Sequence, residues 1–381
     1  MIKPDRVWVE IDLDDIDNNI KEIKKRVDKV KLAPVIKADA YGHGACEVAQ
    51  VLCENQVYML VVATLKEAIN LRKKGITSAI LVLGYIRPEN IEEAIDNNLA
   101  ITLTNLEMAK EYSTIAKALN KVLYVHLKVD TGMNRVGFLY SNFEDINEAL
   151  LLENLHFSGI FSHFSTADHQ DFSYTNLQYK RFLEVLEKLE KKDINVALKH
   201  ICNSGGIILH PDKYLDMVRP GLIIYGLYPS KASKDKSKMN LRPAMSFKSR
   251  IIQIKKVKKG EPISYNNQYI VKKDSLIATV ACGYADGYSR VLSEKGRVYI
   301  KGKTYPITGT ICMDMFMVDI TDSLDIKEQD EVELFGKHIP VEELANLSGT
   351  INYEYVCKIG VRVPHVYIKN QQMVKINDFL E

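Results

Sequence analysis

The chain has 381 residues, 46% hydrophobic and 26% charged, with 51 basic against 49 acidic side chains and a formal net charge of +2. So even a balance gives no electrostatic footing for nucleic acid or an anionic membrane as partner, and no apolar run approaches the ~20 residues that span a bilayer. The length exceeds one small core and points to two domains, or to one barrel with an appendage.

The N-terminus, MIKPDRVWVEIDLDD, turns acidic within a few residues and carries no apolar secretion segment. From residue 33 to about 228, short apolar runs alternate with helical patterns. The runs are APVIKAD (33–39), MLVVAT (59–64), AILVLG (79–84), AITLT (100–104), LYVHLKVD (123–130), FSGIFSHF (157–164), VALKHICNS (196–204) and LDMVRPGLIIYG (215–226). Between them, Thr64 with Glu67 and Thr104 with Glu107 have the spacing of a capping box, which satisfies orphan amides of a first helical turn. Met108, Tyr112, Ile115 and Leu119 share one helix face, and Gly75 after Lys73 and Lys74 marks a helix end.

Strand candidates alternating with helices predict parallel strands and crossover connections, and their number is the one that closes a (β/α)8 TIM-type barrel. An open doubly wound sheet is the competitor, but no G-x-G-x-x-G follows the first strand. Residues 230–241, SKASKDKSKMNL, read as a linker or exposed loop. Beyond them SFKSRIIQIKKV, SLIATVACGYADGY, RVYIKGKTYPITG, MFMVDIT and DEVELFG are strand-like, with few convincing helices. The expected division is a barrel over 1–240 and a C-terminal mostly-β domain over 241–381. Cys46, Cys53, Cys202, Cys282, Cys312 and Cys357 show neither C-x-x-C nor metal-ligand spacing. They read as reduced thiols of a cytoplasmic protein without a metal.

In such a barrel, functional groups gather at the C-terminal ends of the strands. Lys37 ends the first run, Arg135 follows the fifth, His163 ends the sixth, Asn203 and Ser204 end the seventh, and Arg219 lies in the eighth. Each has a plainer reading: a strand-end lysine reaching water, a surface ion pair for Arg135, a hydrogen-bonded core histidine for His163. Arg219, inside VRPGLIIYG, resists such a reading, because a guanidinium amid apolar sequence needs an acceptor. In the fifth run Tyr124, His126, Lys128 and Asp130 share one face opposite Leu123, Val125, Leu127 and Val129. The apolar face should pack on helices, so Lys128 points inward and needs a partner or a modification. The glycines of CNSGG and RPGL follow the seventh and eighth runs, the usual phosphate site of this barrel, or are mere turns. A lysine beside a phosphate cradle suggests pyridoxal phosphate held as a Schiff base.

The ordered set PVIKADAYGHG, HLKVDTGMNRVGF, SHFSTAD, HICNSGG, MVRPGLIIYG, ISY, VACGYADGY, ICMDMFMVD and GTINYEYVCKIGVRVP closely resembles the alanine racemases over essentially the whole chain. The resemblance implies a (β/α)8 barrel plus a β domain that the first strand, about 6–12, joins. It also implies pyridoxal 5'-phosphate, and a head-to-tail homodimer whose active site draws on both subunits. Lys37 would be the Schiff-base lysine and one catalytic base; Tyr265, from the partner subunit, would be the other. Arg219 would face the pyridine nitrogen. Tyr41, Asn203, Ser204, Gly221, Leu222 and Tyr353 would hold the cofactor, with His163 near its ring. Arg135 and the backbone of Met313 would contact the substrate carboxylate. His200 would support Tyr265, with Tyr284 and Asp314 as further supporting groups, and Lys128 matches a position carbamylated in some members.

Racemisation requires an acid–base group on each face of a planar carbanion, and both lysine and tyrosine must be tuned below their ordinary pKa near 10. The sequence departs from the family at Asn266 and Asn267, where glycine commonly follows the tyrosine, and at Thr310, Met315 and His365. Substrate choice, alanine or serine, therefore follows less directly than the fold. A pyridoxal-phosphate decarboxylase would want a carboxylate at the ring nitrogen in place of Arg219, and a non-enzymatic binder would leave the β domain and Tyr265 without purpose.

Overall fold

The computed structural model describes residues 4–323 and 325–378; residues 1–3, 324 and 379–381 of the two expected domains lie outside the described residues. The chain divides into two compact units, one of Ile16–Ala40 with Ala45–Arg242, the other of Met1–Asp15, Tyr41–Gly44 and Pro243–Glu381. The strands up to residue 218 are β1 (Val7–Asp12), β2 (Lys31–Leu32), β3 (Leu60–Val62), β4 (Ile80–Val82), β5 (Ala100–Leu103), β6 (Leu123–Asp130), β7 (Phe138–Leu139), β8 (Leu155–Phe161), β9 (Leu198–His200) and β10 (Met217–Val218).

In the first unit the parallel order is β2-β10-β9-β8-β6-β5-β4-β3, with β7 paired to β6. The two ends of this order meet: Val35 bridges Val61, Ile36 N–H donates to Val61 O at 2.8 Å, and Val61 N–H donates to Pro34 O at 2.8 Å. The sheet is thus a TIM-like barrel, and the doubly wound alternative falls. The apolar set of β6, Leu123, Val125, Leu127 and Val129, is fully buried, as expected of a face covered by helices. Its polar set splits. His126, Lys128 and Asp130 are buried, whereas Tyr124 at the N-terminal end is exposed.

Local chemistry explains the refinements. Thr64 caps the helix Leu65–Lys73 in a full capping box with Glu67, and Gly75 follows that helix with φ 84°. The next helix, Leu106–Ala118, is capped by Asn105 rather than by Thr104, since asparagine is the stronger acceptor and its amide oxygen takes the Met108 N–H. Tyr112 is buried on that helix; Met108, Ile115 and Leu119 are half-buried beside a stripe of Ala109, Ser113 and Ala116. The linker stretch contains a helix, Lys231–Lys236, started by Ser230 with Ser233 standing where a capping box usually has glutamate. The eighth run contributes only β10 before Leu222–Tyr225 turns as a 3-10 helix.

The second unit holds a nine-stranded sheet. In spatial order its strands are Ser275–Val280, Phe316–Asp319, Lys303–Thr308, Arg297–Ile300, Glu331–Phe335, Met245–Val257, β1, His365–Lys369 and Gln372–Asn377. β1 lies antiparallel to Met245–Val257 and parallel to His365–Lys369. Val7 through Ile11 are all buried, which suits a strand covered on both faces. Helices Val341–Leu347 and Asn352–Cys357 also belong to this unit.

Candidate active site

The run APVIKAD stops pairing at Ile36, and Lys37–Gly42 winds into one helical turn. Its hand is reversed: φ is 51°, 51°, 54° and 54° at Ala38, Asp39, Ala40 and Tyr41, and 79° at Gly42. L-residues resist this conformation by ~1–2 kcal/mol each, so the four non-glycines store roughly 4–8 kcal/mol. Side chains hold it there. Glu67 accepts Ala38 N–H at 2.7 Å, and Asp39 accepts Ala45 N–H at 2.7 Å. Gly42 ends the turn where nothing larger fits, since a Cβ would lie 2.2 Å from Val356 O.

Over the same barrel mouth sit the cations. Arg219 is buried, with no carboxylate paired to it among the described residues. Its Nη1 donates to His200 Nδ1, and its Nη2 to Ser162 O at 2.7 Å, Ile201 O at 3.1 Å and His163 Nδ1 at 3.2 Å. Its Nε and the second proton of Nη1 make no bond among the described residues, so two donors are left over. A guanidinium can only donate, which fixes the tautomers in turn. His200 accepts at Nδ1 and donates from Nε2 to His126 Nδ1 at 2.9 Å, and the proton left on His126 Nε2 meets no acceptor among the described residues. Burial, then the Arg219 charge, pushes His126 down to about 3 and His200 well below the usual imidazole value. Burial also draws Arg219 down to about 10.

His163 is held far below the usual range by burial and by Arg219, Lys128, Arg135 and Lys37, so these cations converge on one point. Lys128 has no anion in contact among the described residues: its Nζ makes a 3.5 Å contact with Val129 O and stands 5.2 Å over the Phe161 ring. Burial first, then Arg219, lowers it to about 7, with Arg135 adding to the fall and Asp130 opposing it. Arg135 is exposed and has no ion pair among the described residues. Asn203 caps the helix Ser204–Leu209, and Ser204 Oγ accepts Gly221 N–H at 3.0 Å, leaving the hydroxyl proton to donate elsewhere. Leu222 follows at the start of its 3-10 turn.

The remaining predicted residues lie in the β unit. Tyr41 and Tyr353 have ring centroids 6.1 Å apart, and burial raises the Tyr41 phenol. Tyr265 is 67% exposed on a turn with φ 66° at Ser264, 63° at Asn266 and 49° at Asn267. Asparagine tolerates this region better than most residues, which accounts for the pair that stands where glycine is common. Thr310, another departure, donates from Oγ1 toward Tyr265 O and Gln268 Oε1, both at 3.3 Å, and so ties that turn down. His365 reaches Gly42 O from Nε2 at 3.0 Å. Met313 and Tyr284 are exposed, and Ala285 N–H donates to Met313 O at 3.1 Å. Asp314 pairs with Arg362 at 2.6 Å.

Both ring nitrogens of His200 are engaged, by Arg219 and His126. His163 faces a donor at each ring nitrogen, Arg219 Nη2 at 3.2 Å from Nδ1 and Asn203 Nδ2 at 3.4 Å from Nε2. Three contributors went unseen in sequence. His126 was placed inward by parity but given no task, Glu67 read only as a helix cap, and Asp286 lay in an Asp-Gly turn. Asp286, fully buried, receives Arg6 at 2.7 and 2.8 Å and Arg362 at 2.8 Å, and accepts Gly283 N–H at 2.8 Å.

A TIM-like barrel with lysine, guanidinium and imidazoles gathered over its strand ends, followed by an antiparallel β unit, defines a two-unit barrel enzyme with a basic mouth. The family description "Alanine racemase, N-terminal domain" matches residues 11–229, and "Alanine racemase, C-terminal domain" matches residues 244–367. The chain is 47% identical over 366 residues to an alanine racemase of Desulforamulus reducens, covering 95% of this chain and 99% of that one. Among solved structures, an alanine racemase of Clostridium difficile 630 superposes with TM-score 0.95 at 43% identity over 99% of each chain. One from Bacillus anthracis with bound L-Ala-P gives 0.94 at 35% identity, over 100% of this chain and 99% of that one. The chain belongs to the alanine racemase family.

Proposed function

We propose that the chain is an alanine racemase that uses pyridoxal phosphate and two bases, Lys37 of one subunit and Tyr265 of its partner in a head-to-tail homodimer. The observation that carries the reading is Arg219: a buried guanidinium with no carboxylate partner among the described residues and with its Nε–H left over. The donor set suits a phosphorylated pyridine. Lys37 lies within electrostatic reach of His163, the Ser204 hydroxyl has its proton to give, and Arg219 Nε can donate to a ring nitrogen. Bound there, the cofactor would supply a conjugated sink for the electrons left when an amino acid loses its α-proton.

Lys37 would take or return that proton on one face, and Tyr265 on the other. Arg219, lowered by burial to about 10 and so still charged at neutral pH, would donate a hydrogen bond to the ring nitrogen rather than surrender a proton to it, and would thereby hold back transamination as a side reaction. His200, which holds Arg219 on one side and His126 on the other, would support Tyr265, and His163 would sit near the cofactor ring. Arg135 and the Met313 backbone would receive the substrate carboxylate, Tyr41, Tyr353, Asn203, Gly221 and Leu222 would help Ser204 hold the cofactor, and Tyr284 and Asp314 would support the mouth. Lys128 as a carbamate would turn a strained amine into an anion between two arginines.

The exposure of Tyr265, Tyr284, Val291, Met313 and Met315 on the β unit supports a face covered by a second copy. Among the described residues no helix is long and apolar enough to cross a membrane. A cytoplasmic supply of D-alanine for peptidoglycan, with 1–240 and 241–381 as functional domains, completes the reading. Chiral chromatography of purified protein incubated with L-alanine, L-serine and basic amino acids tests it. D-alanine from L-alanine is expected. Amine and carbon dioxide would indicate a decarboxylase, and unchanged substrate a binder. Tyr265→Phe racemising both enantiomers at full speed would overturn the two-base assignment.

A further inference from the structure

The capping box at residue 64 requires only that Glu67 accept the Thr64 N–H while Thr64 Oγ1 accepts the Glu67 N–H, at 3.0 and 3.2 Å. The carboxylate does more. Its Oε2 also takes Ala63 N–H at 2.8 Å, and its Oε1 takes Ala38 N–H at 2.7 Å. Ala63 and Ala38 each lie just past the point where the main-chain ladder between Val35 and Val61 ends, its last bond running from Ile36 N–H to Val61 O. One carboxylate therefore prolongs the seam between two barrel strands by a rung. That rung falls on the first residue of the left-handed turn, immediately after Lys37.

A strained conformation persists only where its surroundings over-determine it. The Ala38 amide is largely exposed, so without Glu67 water would serve it equally well in a relaxed, right-handed or extended backbone. The charge on Glu67 makes the bond to Ala38 stronger than a neutral acceptor would. We propose that Glu67 is a positioning residue: its carboxylate clasps the left-handed turn and thereby fixes where Lys37 directs its amine. The proposal rests on Lys37 acting as a base, as assigned above.

Glu67→Gln separates the two duties. The single amide oxygen can still serve Ala63 and Thr64, but an NH2 group then faces the Ala38 N–H, which loses its acceptor. Thr64→Ala is the control, weakening the cap without touching Ala38. Amide hydrogen exchange by mass spectrometry on peptides covering 37–42 and 64–68 is measured on the intact proteins, together with kcat and KM for both alanine enantiomers. In Glu67→Gln, exchange over 37–42 should quicken at least tenfold and kcat fall at least tenfold, with KM within threefold of the parent. In Thr64→Ala, exchange should quicken over 64–68 alone, with kcat within twofold. Unchanged exchange over 37–42 in Glu67→Gln, an unchanged kcat there, or the same pattern in both variants would overturn the proposal. A parent chain that fails to interconvert alanine enantiomers would instead overturn the assignment of function, and the exchange data alone would then decide the clasp.

Discussion

Removing the Lys128 amine tests the electrostatics of the barrel mouth without reference to any bound group. Burial and Arg219 lower Lys128 from its ordinary 10.5 to about 7, so the folded chain releases this proton more readily than the unfolded one. Below pH 7 both states hold the proton, and folding bears the whole penalty, roughly 5 kcal/mol at ~1.36 kcal/mol per pH unit. Between about 7 and 10.5 the native amine is neutral while the unfolded one stays charged. Stability then rises with pH, by roughly 2.7 kcal/mol from pH 7.5 to 9.5 from this group alone. Lys128→Met abolishes the contribution while keeping most of the side-chain volume. Urea denaturation of both proteins at pH 7.5, 8.5 and 9.5 in carbon-dioxide-free buffer should show the parent gaining on the variant as pH rises. Parallel curves would refute the reasoning. With bicarbonate present, carbamylation should flatten the parent's dependence and raise its stability, because an anion then sits beside Arg135 and Arg219.

Two further outcomes follow from the polar networks. Arg219→Glu should increase the pyruvate formed per D-alanine produced, measured by coupled lactate dehydrogenase assay, and an unchanged ratio would remove Arg219 from control of the side reaction. Asp286→Asn leaves Arg6 and Arg362 facing a neutral group, and should cost roughly 2–4 kcal/mol after allowing for the half-exposed arginines; a melting temperature equal to the parent's would contradict that.

The barrel was legible because fully covered parallel strands leave continuous apolar runs, and the inward set of β6 because side chains alternate at period two. Lys37, His163, Asn203 and Arg219 stood out as polar residues ending or interrupting such runs. What stayed hidden depends on contacts distant in sequence. Nothing local in KADAYG announces a left-handed turn, since its φ values are set by acceptors on Glu67 and Asp39 and by room at Gly42 beside Val356. The tautomer chain Arg219–His200–His126 joins three separate strand regions, so the engagement of both His200 nitrogens could not be read from HICNSGG. Asp286 looked like turn punctuation because its partners, Arg6 and Arg362, lie near opposite ends of the chain.

The placement of β1 has a consequence for how the molecule is made. This strand leaves the ribosome well before its neighbours in the sheet, which begin only at Met245 and His365. At roughly 5–20 residues per second, VWVEID waits on the order of tens of seconds, unpaired, while the segments of the barrel emerge and can close behind it. Nascent chains of this protein should therefore need a chaperone most while the barrel segments have emerged and His365–Lys369 has not, since pairing with that strand retires the risk.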